Sequence, residues 1–185
     1  MTKGFDTFGI FAAMIIGNEQ PYLVGIVGGS ASGKTSFIKA LAAHFNAEQI
    51  TVISQDHYYV PIEHQMRDAN GMVNFDLPGS IDRVRFHDDV LRLISGHEVY
   101  MREYTFNNPK VEAEIICYKP APVIIMEGLF VFYYEEIRKI LDLKVYLDAD
   151  ENVKLARRIR RDAAERGYPE QEVLYQWNNH VMPAY

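Results

Sequence analysis

Residues 28 to 36 read Gly-Gly-Ser-Ala-Ser-Gly-Lys-Thr-Ser, close-set glycines beside one lysine and several hydroxyls. Gly28, four residues, then Gly33, Lys34 and Thr35 is the spacing of a phosphate-binding loop. Glycine tolerates backbone conformations that turn the N–H groups of Gly28, Gly29, Ser30, Ala31, Ser32 and Gly33 toward one point. A helix beginning there would add its positive end. Lys34 would then reach the outer phosphates of a nucleoside triphosphate. Thr35, with Ser36 beside it, would place a hydroxyl against Mg²⁺. An apolar β-type run precedes the loop and a helical pattern follows it, which separates it from an ordinary Gly-rich turn.

Two carboxylates and a cluster of arginines fit the same chemistry. Asp56 follows the run Ile50–Ser54, and carboxyl ends of parallel strands line the ligand crevice of open α/β sheets. Three roles are open to it: accepting a proton from an attacking hydroxyl, joining a metal shell, or capping the next segment. Glu127 ends the run VIIME, where an acid can work with Mg²⁺ through water or merely face solvent. Between Arg157 and Arg166, five arginines occupy ten positions. On a helix Arg158 and Arg161 share a face, whereas Arg157 and Arg160 point elsewhere. Such a segment is either a solvated face with Arg161–Glu165 and Asp162–Arg166 pairs or a lid that closes guanidiniums over a transferring phosphate.

The elements that must position these groups follow from periodicity. Buried strands are expected at 22–27, 50–54, 122–127 and 143–148. Helices are expected at 36–45, with Phe37, Leu41 and Phe45 on its apolar face, and at 83–95, with Val84, Phe86, Val90, Leu91 and Leu93. Further helices are expected near 135–141, from an Asp150 cap through Arg166, and at 170–181. Segments 98–106 and 111–119 flank an Asn-Asn-Pro turn and read as a hairpin-like insertion. Alternating strands and helices give an α/β fold with a parallel sheet and helices on both faces.

Composition sets the outer bounds. The 185 residues fit one domain, 21–185, with an insertion at 98–119, an Arg-rich segment at 157–168 and an N-terminal extension over 1–20. The net charge of −6 argues against a general binder of nucleic acid or anionic membranes. One cysteine, Cys117, excludes an internal disulfide framework, fits a reducing cytoplasmic setting and is expected to be plain packing. The apolar run at 8–16 is too short to span a bilayer, and the extension it belongs to is expected to be poorly ordered, floppy or loosely docked. The histidines show no metal-ligand spacing. Asp-Ala-Asn-Gly at 68–71 matches a GTPase switch pattern but stands in the wrong place, with no guanine motif elsewhere.

Taken in order, GGSASGKT, SQDHYY, NFDLP, EYTF, MEGLFVFY, RRDAAERG and QWNNHVMPAY resemble the uridine–cytidine kinase family of phosphate-loop kinases, over residues 22–185. The resemblance implies transfer of the γ-phosphoryl of ATP to the 5′-hydroxyl of a pyrimidine ribonucleoside, with Mg²⁺ and a homo-oligomer. It implies Asp56 as general base, Lys34 as phosphate clamp, and Thr35 with Glu127 on the magnesium side. Asp76 would hold the ribose hydroxyls, and Tyr59, Tyr104 and Phe106 would form part of the nucleoside pocket. Arg158, Arg161 and Arg166 match the lid arginines, and Gln176 a further nucleoside-side group. Three features depart from the family. Pro109 stands where a base-contacting His is usual, and Tyr168 where an Arg often follows the lid Arg-Gly. The family also continues past residue 185 into another strand and helix, so the strand at 143–148 is expected to form an uncovered edge. Pro109 keeps open a kinase of another small alcohol, such as pantothenate or a sugar phosphate. The ending keeps open a non-catalytic nucleotide-binding protein.

Overall fold

The computed structural model describes residues 20–106 and 111–184. Its centre is a parallel sheet of β1 (Tyr22–Gly28), β2 (Ile50–Ser54), β5 (Val123–Gly128) and β6 (Leu143–Leu147), in the order β2-β5-β1-β6. An antiparallel pair, β3 (Val99–Arg102) and β4 (Ile115–Tyr118), forms a second small sheet. The helices are α1 (Lys34–Ala42), α2 (Arg83–Ile94), α3 (Glu135–Ile140), α4 (Glu151–Arg161) and α5 (Glu170–Gln176). π-helical turns follow α4 at Asp162–Arg166 and α5 at Trp177–Val181.

Strands β1 and β5 are buried on both faces because they are apolar on both. Val24, Ile26, Val123 and Ile125 point to one side, where Ile38 of α1 packs with Leu41 and Phe45. Leu23, Val27, Ile124 and Met126 point to the other, against Phe86, Val90 and Leu93 of α2, Ile137 of α3 and Val99 and Tyr118 of the small sheet. Ile124, Ile125 and Met126 are fully buried at the centre, where truncation to alanine costs about 2–5 kcal/mol.

The crossovers decide where a ligand can sit. The chain leaves β1 through α1 and returns to β2, passing over the position of β5; later it leaves β5 through α3 and returns to β6 on the far side of β1. The carboxyl ends of β1, β2 and β5 therefore meet at one crevice. Register sharpens this: Ser54 stands opposite Glu127, and Val27 opposite Gly128.

Several sequence expectations need correction. Val84 is 64% exposed and Leu91 is also exposed; the buried face of α2 is Phe86, Val90 and Leu93. Phe37 is exposed too, and Ile38 takes its place under the sheet, sharing a face with Leu41 three residues on. The small-sheet strands are shorter than 98–106 and 111–119: after Glu103, whose amide still donates to the Glu114 carbonyl, the chain turns so that Tyr104 and Phe106 line the crevice. Cys117 is a free, exposed thiol on β4 rather than a packing residue. The Asn-Asn-Pro turn, including Pro109, and the run at 8–16 lie outside the described residues. Among those described, no helix is long and apolar enough to cross a membrane. Strand β6 is at the sheet edge, with Leu143 and Tyr146 exposed.

Candidate active site

The loop after β1 is shaped by backbone close approach. A Cβ at Gly28 would lie 2.2 Å from the Leu147 carbonyl oxygen and 2.7 Å from Ser32 Oγ, so only glycine fits. Gly33 has φ 104 and Ala31 φ 60, a left-handed conformation that a residue with a side chain adopts at a cost of about 1–3 kcal/mol. Strain of this kind persists where surrounding structure enforces it, and here it turns the loop into the start of α1. Lys34 Nζ donates to the carbonyls of Gly28 at 2.8 Å and Gly29 at 3.3 Å, arching over the loop.

A cavity of about 520 Å³ opens above this loop. Seven of the loop residues line it, from Ser30 to Ser36; Gly28 and Gly29 lie beneath as the turn itself. Asp56 and Glu127 stand at its floor, from the ends of β2 and β5. Ser54 Oγ donates to Glu127 Oε1 at 2.5 Å and accepts from the Asp56 amide at 3.3 Å, joining the two carboxylate-bearing segments. Burial, then the neighbouring Asp56, pushes the Glu127 carboxyl above its ordinary range. Burial likewise lowers Lys34, while Glu127 and Asp56 hold its charge in place.

The opposite end is assembled from distant segments. Tyr104 and Phe106 face Tyr59 with ring centroids at 5.2 and 6.3 Å, and Phe75 stands edge-on to Tyr59 at 5.6 Å. Tyr104 is fixed through its amide, which donates to His57 Nδ1 at 3.2 Å. Asp76 is buried next to these rings, and its own burial raises its pKa against the opposing pull of Arg158. Arg158 Nη1 lies 3.8 Å from Asp76 Oδ1, and its Nη2 donates to Gln176 Oε1 at 2.9 Å. Arg161 Nη2 reaches Ser30 Oγ at 3.4 Å, and Arg166 lies 3.7 Å over the centroid of Phe106. Burial, then the charge of Arg161, lowers the pKa of Arg166.

Every site residue singled out from the sequence thus lines one cavity or forms the loop under it. Sequence reasoning missed four features. Arg157, expected to point away, lines the cavity, its Nη1 3.8 Å from a Cβ built on Gly33. Phe75 was legible as the apolar neighbour of Asp76, and Ser54 as the last residue before Gln55 and Asp56 at a strand end. Asp68, set aside as an accidental match, accepts from Tyr175 Oη at 2.7 Å, and its Oδ2 lies 2.8 Å from His180 Nε2. Those bonds strap the 66–74 loop to the C-terminal helices that carry Gln176. No local signal in the sequence pairs residues so far apart.

Against known proteins, the sequence profile described as the phosphoribulokinase / uridine kinase family matches residues 23–185. A uridine kinase of Lactobacillus helveticus (strain DPC 4571) is 35% identical over 173 residues, 90% of this chain and 80% of that protein. Uridine-cytidine kinase B of Dictyostelium discoideum is 31% identical over 168 residues, covering 91% and 69% of the two chains. Among solved structures, a Silicibacter sp. TM1040 protein superimposes with a TM-score of 0.71 at 18% identity, over 94% of this chain and 90% of that one. D-glycerate 3-kinase from Cryptococcus neoformans gives 0.59 at 15% identity, over 98% and 88%. These structural likenesses carry the fold, which is that of phosphate-loop kinases. The chain belongs to the phosphoribulokinase / uridine kinase family.

Proposed function

We infer that the protein transfers the γ-phosphoryl of ATP to the 5′-hydroxyl of uridine and of cytidine, giving UMP and CMP. The observation that carries this reading is the position of Asp56, which lines one cavity between the phosphate loop and the Asp76–Arg158–Gln176 group. Relatives named uridine kinase and uridine-cytidine kinase, matched over about nine-tenths of the chain, support the choice of acceptor.

In this reading the loop amides and Lys34 hold the phosphates, and Asp76 accepts hydrogen bonds from the two ribose hydroxyls. Tyr59, Tyr104 and Phe106 flank the base. Asp56 takes the proton of the 5′-hydroxyl as its oxygen bonds to the γ-phosphorus; the bond to the bridging oxygen breaks and ADP leaves with that electron pair. Arg161 and Arg166 offset charge on the moving phosphoryl. The Thr35 hydroxyl, with the Glu127 carboxylate acting through water, fits a Mg²⁺ bound mainly by the nucleotide, since hard cations take oxygen ligands and Mg²⁺ keeps part of its water. Bound there, the ion would neutralise phosphate charge. The family resemblance also supports residues 157–168 as a lid, 21–185 as one kinase domain, a homo-oligomer and a cytoplasmic location.

The test is ATP consumption with Mg²⁺ over a panel of uridine, cytidine, purine nucleosides, D-glycerate and pantothenate, with products identified. Uridine and cytidine should be consumed to their 5′-monophosphates. Turnover of another alcohol alone would overturn the acceptor, and ATP binding without turnover of any alcohol would overturn the enzyme.

A further inference from the structure

One buried carboxylate in the site has no part in the reaction just described. Asp162 opens the π-helical turn after α4 and is 0% exposed, yet three guanidiniums converge on it. Arg161 donates from Nε to Asp162 Oδ1 at 2.8 Å, Arg166 Nη1 lies 3.4 Å from the same oxygen, and Arg158 Nε lies 3.3 Å from Oδ2. Spacing accounts for the convergence. Arg158 and Arg166 stand one helical turn before and after Asp162, so all three share a face, and Arg161 folds back on its neighbour.

Each arginine also extends to a different wall of the cavity. Arg158 reaches Asp76 and Gln176, Arg161 reaches Ser30 of the phosphate loop, and Arg166 covers Phe106. Asp162 is their common root. Three guanidiniums confined to one buried corner repel one another, and a single carboxylate between them both offsets that repulsion and fixes their directions. The Tyr168 amide donates to the Asp162 carbonyl at 3.1 Å, closing the turn where Gly167 takes φ 73. Asp162 Oδ2 and Arg158 Nε, although close, lack hydrogen-bond geometry. The carboxylate thus holds Arg158 by charge, while Gln176 and Asp76 fix the far end of that arm.

We propose that Asp162 is the positioning residue of the arginine lid, the shared anchor that aims Arg158, Arg161 and Arg166 at the acceptor and the transferring phosphoryl together. It does not line the cavity itself. The proposal rests on the kinase reading above, and its test separates the two. Asp162→Asn keeps the shape but replaces the charge with an amide whose N–H groups oppose the guanidiniums. With a parent that phosphorylates uridine, this variant should lose tenfold or more in kcat, while KM for ATP changes less than about threefold because the loop is intact. Asp162→Glu, which restores the charge, should recover at least part of the loss.

Hydrogen exchange gives a readout that needs no acceptor at all: amides of 162–168 should exchange at least tenfold faster in Asp162→Asn, with α1 unchanged. A parent inactive on uridine would sink the acceptor reading, and the exchange result would still decide for or against Asp162 as an anchor. Parent-like kcat and parent-like exchange in Asp162→Asn would overturn the proposal. So would loss of cooperative melting in both variants, which would assign Asp162 to folding alone.

Discussion

The two ends of the cavity are built in opposite ways. The phosphate end is one continuous stretch, Gly28 to Ser36, whose geometry rests on backbone approach and on the left-handed turns at Ala31 and Gly33. The acceptor end takes Tyr59, Asp76, Tyr104, Arg158 and Gln176 from five separate segments, joined by side chains. A backbone-built site fails where a Cβ would invade the turn, as at Gly28, or where a side chain carries charge to the reacting atoms, as at Lys34. In a side-chain-built site each member contributes only a part. Variants at the phosphate end should therefore be all-or-none, and those at the acceptor end graded.

The largest expected effect tests the first half of that contrast. Lys34→Ala should lower kcat by about 10³ or more, since the lost charge acts where the phosphoryl moves. Its melting temperature should stay close to the parent's, because burial of the lysine already works against its charge. Steady-state kinetics and thermal melts check both parts; near-parent turnover would refute the clamp.

Asp56 lies on the boundary between the two ends. Asp56→Asn should lower kcat by about 10²–10⁴ with ATP affinity little changed, as expected of a lost base. A parallel loss of ATP affinity, measured by titration with a fluorescent analogue, would move Asp56 to the metal shell.

Asp76 should give a graded response. Loss of the 2′-hydroxyl leaves part of a buried acceptor unpaired, at about 1–3 kcal/mol. Uridine should thus exceed 2′-deoxyuridine by roughly tenfold or more in kcat/KM, and Asp76→Ala should shrink that ratio. Protonation should act in the same direction. Because burial raises the pKa of Asp76, its charge is lost on acidification earlier than for an ordinary carboxylate of about 4. KM for uridine should therefore climb as pH falls, starting at a higher pH than an ordinary carboxylate would give, and stay flat on the alkaline side. A flat KM down to the ordinary carboxylate range would remove Asp76 from the ribose.

The same contrast explains what was legible in the sequence. The phosphate end could be read because its information is local: spacing, glycine and the strand-to-helix switch all lie within a few residues. Asp56 and Glu127 were legible as candidates because strand ends in a parallel sheet converge, although their choice among roles was not. The acceptor end came from family resemblance, since nothing in the periodicity brings Tyr104 to Tyr59 or Gln176 to Arg158. Arg157 lies off the face shared by Arg158 and Arg161, yet α4 runs beside the loop and offers Gly33 a second face. Val84 failed for a related reason: an apolar residue at helical spacing is buried only if the neighbouring layer extends over it.

The smallest expected effect isolates one contact within the acceptor end. Arg166 stacks on Phe106, whose φ of 53 shows that the chain turns sharply to present the ring. Cation–π pairs of this kind contribute about 0.5–2 kcal/mol depending on exposure. Phe106→Leu keeps the apolar bulk and removes the π face, so KM for uridine should rise by roughly threefold to tenfold within that range. Arg166→Gln removes the other partner but also a charge near the phosphoryl, so its kcat should fall further. If the stack is a unit, the double variant should have a KM no worse than the weaker single, with non-additivity near the size of the Phe106→Leu effect. Additive losses would mean that ring and guanidinium act on the acceptor independently. The acceptor end would then be a set of separate contacts, and its graded behaviour would extend down to single pairs.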